Sequence, residues 1–316
     1  MPIEEAKLVP GSNLVSLPSA LPKQSKKLSP LTGLLLATIV LGLCFIVPIY
    51  NLLRLAASDD LYSDIPLIPL ISAWLIWLHH EKLPRSFKRS SLPAILFIAA
   101  GMFAMALYWL IARDNSLSLG NYLAPNILAF LLFFIGLCFF FLGEIFLRAI
   151  AFPLALLIFA IPFPDALRHS LESFLQYGSA AAAQIFFLMS GTPVLQSGLN
   201  FQFTNCVIQV APECSGIHST IVLAITSLIG GWLFLRSPWK RTALALIVIP
   251  LALLRNGFRI FVIGRLCAAY GPQMLASPIH RHGGPLFFAL SLVPLFLFLV
   301  FLKKTEQTKS LTKKSL

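Results

Sequence analysis

Apolar residues along this chain come in long runs, separated by short segments that hold most of the charge. Neither the two-residue alternation of a half-buried strand nor the one-sided stripe of a soluble helix dominates. A helix needs roughly 17–25 predominantly apolar residues to cross a bilayer. Eight runs meet or approach that length: Leu31–Tyr50, Leu61–Leu78, Leu92–Ile111, Leu123–Leu142, Ile150–Phe163, Ile217–Leu235, Thr242–Val262 and Pro285–Leu302. The second and fifth are short and contain proline, so their ends are not sharply marked. Ser170–Met189 is a candidate for a further helix and carries a patch of small residues, Ala180–Ala183. Pro164–Glu213 is the longest stretch without a spanning run. Within it Gly198–Val210 alternates polar and apolar positions, which predicts a short hairpin or an interfacial cover. The chain reads as an all-α integral membrane protein with about eight transmembrane helices.

Composition agrees. The 316 residues are 58% hydrophobic and 11% charged, where a soluble domain is about a quarter charged. The net charge of +12 would suit nucleic acid only if the basic residues formed a stripe with interleaved aromatics. Instead they occupy loops and tails, as topology signals do. Lys7, Lys23, Lys26 and Lys27 precede the first run; Lys82, Arg85, Lys88, Arg89, Arg148, Arg236, Lys240 and Arg241 fall in alternate loops; Lys303, Lys304, Lys309, Lys313 and Lys314 follow the last. The acidic segment Asp59–Asp64 falls on the opposite side. This bias predicts that both termini are cytoplasmic. It divides the chain into a polar tail (1–29), N-terminal spans (30–121), a C-terminal membrane unit (122–302) and a basic tail (303–316). Nucleic acid is not an expected partner; membrane lipids are.

Candidate chemistry gathers at the predicted outer face. The polar turn Pro212-Glu213-Cys214-Ser215-Gly216 stands directly before the run that begins at Ile217. A thiol at a helix N-terminus has a lowered pKa, because the unpaired N–H groups and the helix dipole favour the thiolate. Cys214 is therefore a candidate nucleophile; the competing readings are a packing residue or half of a disulfide with Cys206. Arg255 and Arg259 are four apart near the outer end of the seventh run and share a helix face. Ionisable groups at such a place are candidates for function, against the alternative that they reach out to lipid head groups. His280 and His282 lie in the loop before the last run. A zinc site would want a third protein ligand beside them, and no Asp or Glu adjoins them, so neither metal nor cofactor is expected. His218, one helical turn after Cys214, ranks second as a base. Glu213 reads as a solvated turn residue that could also orient a histidine or bind substrate.

Taken together, Glu213-Cys214-Ser215-Gly216 heading a span, Asn256-x-x-Arg259 late in the next, and a histidine before the last span resemble the exosortase/archaeosortase family. The resemblance covers approximately Leu123 to Leu302; the earlier spans match only in being apolar. It implies a membrane-embedded cysteine transpeptidase with Cys214, Arg259 and His280 as the catalytic residues. The histidine assignment follows the spacing His280-x-x-x-Gly284-x-x-x-Phe288. His282 stands two residues on and Pro285 interrupts the helix start, so the choice between the two histidines stays open. The implied substrates are exported proteins ending in a Pro-rich motif, a hydrophobic span and a basic tail. These would be cut and passed to a lipid or glycan acceptor at the extracytoplasmic face of the cell inner membrane. In this chemistry Cys214 forms a thioester. Arg259, with the backbone N–H groups of Ser215 and Gly216, stabilises the oxyanion, and histidine moves the proton. The readings from other classes are a non-enzymatic transporter and an envelope polysaccharide assembly protein. A transporter favours ionisable residues at mid-membrane in several spans. A glycosyltransferase would look for acids such as Asp59, Asp60 and Asp64.

Overall fold

The computed structural model describes residues 29–84, 88–112, 118–204, 206–212, 215–271, 273 and 284–312. Helices dominate: α1 (Pro30–Cys44), α2 (Ile46–Ser58), α3 (Leu67–Leu78), α4 (Ser91–Ala112), α5 (Leu119–Leu142), α6 (Glu144–Ala149), α7 (Ala151–Leu156), α8 (Asp165–Met189), α9 (Ile217–Phe234), α10 (Pro238–Leu246), α11 (Val248–Tyr270) and α12 (Gly284–Thr312). Six described helical segments are long and apolar enough to cross a membrane, or up to eight if each of two bent pairs is one span. The chain is thus an all-α integral membrane protein, as its hydropathy predicts.

The bent pairs show where the apolar runs mislead. Leu31–Tyr50 is not one straight helix, because α1 and α2 meet at 74°. Pro48 lacks the N–H that would bond the carbonyl of Cys44, and the break falls there. The run Ile150–Phe163 forms only α7 and the 3-10 turn Leu157–Ala160, then turns by 92° into α8. Pro162 and Pro164 flank that corner and restrict the residues before them to extended backbone. Residues on α1 such as Leu35, Ile39 and Leu43 are more than half exposed, as a helix that is apolar all round and meets lipid requires.

A second structural unit sits on the C-terminal ends of α8 and α11. These helices run parallel, with Gly178 against Leu253, Gly257 against Ala182 and Ala183, and Gly264 against Phe187. The Ala180–Ala183 patch is what permits that approach: a Cβ on Gly257 would stand 2.6 Å from the Cβ of Ala182. Beyond the patch lies a three-stranded antiparallel sheet, β1 (Leu195–Ser197), β2 (Asn200–Gln202) and β3 (Val207–Gln209), in the order β1-β2-β3. Phe201 pairs with Ile208. Phe201, Phe203, Ile208 and Val210 point inward against Phe187, Ile260 and Ile263, while Gln202, Val207 and Gln209 face outward. The alternation in Gly198–Val210 is this sheet. Cys206, directly before β3, is disulfide-bonded to Cys267 on α11, with Cα atoms 6.5 Å apart. Cys206 is therefore not the partner of Cys214.

The remaining core joins α2, α3, α5 and α9 around Leu75, Leu123 and Ile225, and α9, α10, α11 and α12 around Leu223, Leu244 and Leu299. At one end of α9, Glu306 accepts the backbone N–H groups of Arg236 and Ser237, and Lys240 reaches the carbonyl of Leu302. The 18 residues of α9 rise by about 27 Å at 1.5 Å each, close to the roughly 30 Å hydrocarbon core. This basic end and the Ser215–Gly216 turn therefore stand a membrane's thickness apart.

Candidate active site

The site is built around Ser215 and Gly216, where the polar turn becomes α9. Ser215 is buried; its N–H donates to the carbonyl of Pro212 (3.0 Å), and its Oγ accepts the N–H of Ile217 (3.4 Å). Gly216 caps α9 with φ of 71°, a left-handed conformation that glycine adopts without Cβ strain. Its carbonyl accepts from the N–H and Oγ1 of Thr220 and from the Oγ of Ser219. The sequence around the turn thus supplies its own hydroxyl donors.

From α11, two residues close on this turn. The Nδ2 of Asn256 donates to the Ser215 carbonyl (3.1 Å) and to the Oγ of Ser179 on α8 (3.0 Å), and Asn256 is 2% exposed. The Nη2 of Arg255 donates to the Gly216 carbonyl (3.3 Å). Arg255 is 8% exposed, and its Nη1 is buried without a hydrogen-bond partner among the described residues. Its guanidinium turns into the protein rather than out to head groups. A Cβ on Gly216 would lie 2.9 Å from that Nη2, so the backbone of the turn is held close under the side chain. Arg259, one turn further along α11, is half-buried and lines a pocket with Ile208, Gln209, Val210, Asn256, Ile260 and Ile263. Arg255 and Arg259 therefore share a helix face but have different surroundings, one packed on the α9 turn and the other lining the pocket beside β3.

Helix α8 contributes a polar stripe that the run of residues does not advertise. Arg168 contacts Glu172 (2.9 Å) and Asp59 (3.4 Å), Gln176 donates to the Val210 carbonyl (3.1 Å), and Ser179 meets Asn256. Spacings of three and four put these side chains on one face, and that periodicity was the available signal in Arg168-x-x-x-Glu172-x-x-x-Gln176-x-x-Ser179. His218 lies in the first turn of α9, with its Nε2 2.6 Å from Oδ2 of Asp64. Cys214, Glu213, His280 and His282 lie outside the described residues. The described neighbours of Cys214 in the chain are Pro212 and Ser215. Among the described residues, no three His, Cys, Asp or Glu side chains converge as metal ligands.

Compared with known protein families, residues 54–297 match the transmembrane exosortase family. That is more than half of the chain. The protein belongs to the transmembrane exosortase family. The match reaches back to residue 54, so this exosortase includes α3 and α4 and the acidic segment that carries Asp64, as well as the helices from α5 onward. No curated protein and no solved structure matches the chain. Membership of this family suggests a cysteine peptidase or transpeptidase, and the geometry around Ser215 bears on how such chemistry would be arranged.

Proposed function

We propose that this exosortase is a membrane cysteine peptidase and transpeptidase, with Cys214 as nucleophile, that cleaves the C-terminal sorting signal of exported proteins. The observation that carries this reading is the clamp of Arg255 and Asn256 on Ser215 and Gly216, the two residues directly after Cys214 in the chain. A nucleophile acts only if its position is fixed relative to the groups that stabilise developing charge. Here the turn is fastened from a neighbouring helix by two hydrogen bonds, and Arg259 stands one turn beyond, lining the pocket beside β3.

In the first half of the reaction the Cys214 thiolate attacks the scissile carbonyl carbon. The carbonyl oxygen becomes an oxyanion facing Arg259, whose planar charged fork suits it. The C–N bond then breaks, the amine leaves with a proton supplied by His280 or His282, and a thioester remains. Arg255 holds the turn. An acceptor of the envelope, a lipid or glycan carrier, then takes the acyl group. Substrates would carry a Pro-rich motif, a hydrophobic span and a basic tail, so that the span lies beside the enzyme in the same inner membrane.

The outer face is the proposed location of this site. The Cys206–Cys267 pair lies in the sheet unit next to the pocket, and disulfides persist in oxidising compartments outside the cytosol. From Lys240 to Arg259 the chain rises about 28 Å at 1.5 Å per residue, which puts Arg259 near the boundary opposite the basic loop. The polar groups gather around one turn rather than across the mid-membrane of several spans, which favours surface chemistry over transport. The test is processing of a tagged reporter ending in the three-part signal. Wild-type enzyme converts it to a shorter form, and Cys214→Ala at equal membrane abundance leaves it full length. Equal conversion by both would refute the proposal.

A further inference from the structure

His218 and Asp64 are 154 positions apart in the sequence, yet they form one of the shortest polar contacts in the protein, 2.6 Å between Nε2 and Oδ2. Asp64 lies in the segment between the 3-10 turn Asp60–Tyr62 and α3, and His218 is the second residue of α9. A carboxylate only accepts hydrogen bonds, so Nε2 carries the hydrogen and Nδ1 is left as the basic nitrogen. The two side chains are 40% and 37% exposed, whereas the guanidinium of Arg255 that closes on the same turn is buried. The first turn of α9 therefore meets a buried cation from α11 and an accessible, carboxylate-oriented imidazole at its N-terminal end.

We infer that His218, held by Asp64, is the base that deprotonates the acceptor in the second half of the reaction. This inference rests on the cysteine-peptidase reading above. The first half needs a proton donor for the departing amine. The second needs a proton acceptor where a new nucleophile can arrive, and a partly exposed imidazole whose Nδ1 has no hydrogen-bond partner among the described residues meets that requirement. The acceptor's hydroxyl or amine attacks the thioester carbon and its proton passes to Nδ1 of His218. The C–S bond breaks and Cys214 leaves as thiolate; the proton then moves from His218 to the thiolate or to water. His218 is the group that touches the acceptor. Asp64 acts through it and is a positioning residue.

The experiment follows both the thioester and the product from a tagged reporter ending in a Pro-rich segment, a hydrophobic span and a basic tail. Hydroxylamine releases acyl groups from thioesters, so it reports adduct separately from finished product. In His218→Gln, adduct still forms on Cys214, while product per adduct falls by about a hundredfold, the lower end of what a positioned base contributes. Asp64→Asn shows the same shift in ratio, Asp64→Glu restores part of it, and the double variant His218→Gln/Asp64→Asn is no worse than His218→Gln alone. Because the readout is a ratio per adduct, lower membrane abundance does not mimic it. An unchanged ratio in His218→Gln, or full activity in Asp64→Asn, would overturn the inference and leave the peptidase reading standing. Absence of any hydroxylamine-sensitive adduct, with normal processing by Cys214→Ala, would instead overturn the reading on which it rests.

Discussion

The side-chain amide of Asn256 lies 3.1 Å from the carbonyl oxygen of Ser215. Through that one nitrogen α11 is tied to the α9 turn, and through the same nitrogen to Ser179 of α8. Asn256→Asp keeps the shape and removes both donors, leaving the buried Ser215 carbonyl facing a carboxylate. An orphaned buried polar group costs about 1–3 kcal/mol. The expected result is a lowered melting temperature in detergent together with reduced reporter processing. Processing that falls with no loss of stability would mean that Asn256 acts on the substrate instead of on the turn.

Arg255 and Arg259 should separate in the same assay. Arg259→Lys is expected to keep normal abundance and lose roughly a hundred- to a thousand-fold in turnover, the usual effect of removing one oxyanion donor. An ammonium is a hydrated point charge and does not reproduce the planar fork. Arg255→Lys shortens a buried side chain whose Nη2 reaches the Gly216 carbonyl at 3.3 Å, so its main effect should be on folded abundance. Measured at matched enzyme levels, the reverse pattern would move the oxyanion role to Arg255.

How far the sequence speaks for itself differs by element. The apolar runs mark the membrane helices because lipid demands continuous apolar surface, and the alternation in Gly198–Val210 marks a sheet buried on one face. The break at Phe45 and the corner at Pro162–Pro164 are less visible, since proline permits a bend without fixing its angle. Asn256 and Arg259 are legible as a motif. The contacts of Asp64 with His218 and of Ser179 with Asn256 are not, because they join segments 154 and 77 positions apart, and no local periodicity encodes such distances. The same holds for the cysteines. Cys206 is eight residues from Cys214 in the chain, yet its partner is Cys267, 61 residues away, because the sheet folds back onto α11.

That pairing gives a prediction of its own. Cys206→Ser and Cys267→Ser should lower stability by similar amounts, about 2–4 kcal/mol for a single disulfide. The folded fraction of either variant should still process the reporter. Alkylation before and after reduction checks the bond directly: both thiols become reactive only after reduction, and Cys214→Ala leaves them protected. Protection lost in Cys214→Ala would show that Cys214 takes part in the disulfide.

The most direct test of the central claim is the mass of the peptide containing Cys214 after the reaction is quenched in acid with reporter present. The account predicts a Cys214 thioester whose added mass equals the reporter segment ending at the cleavage site, removed by hydroxylamine and formed roughly a hundred- to a thousand-fold more slowly when Arg259 is changed to Lys. Cleaved reporter accumulating with Cys214 unmodified throughout, or at full rate in Cys214→Ala, would contradict it.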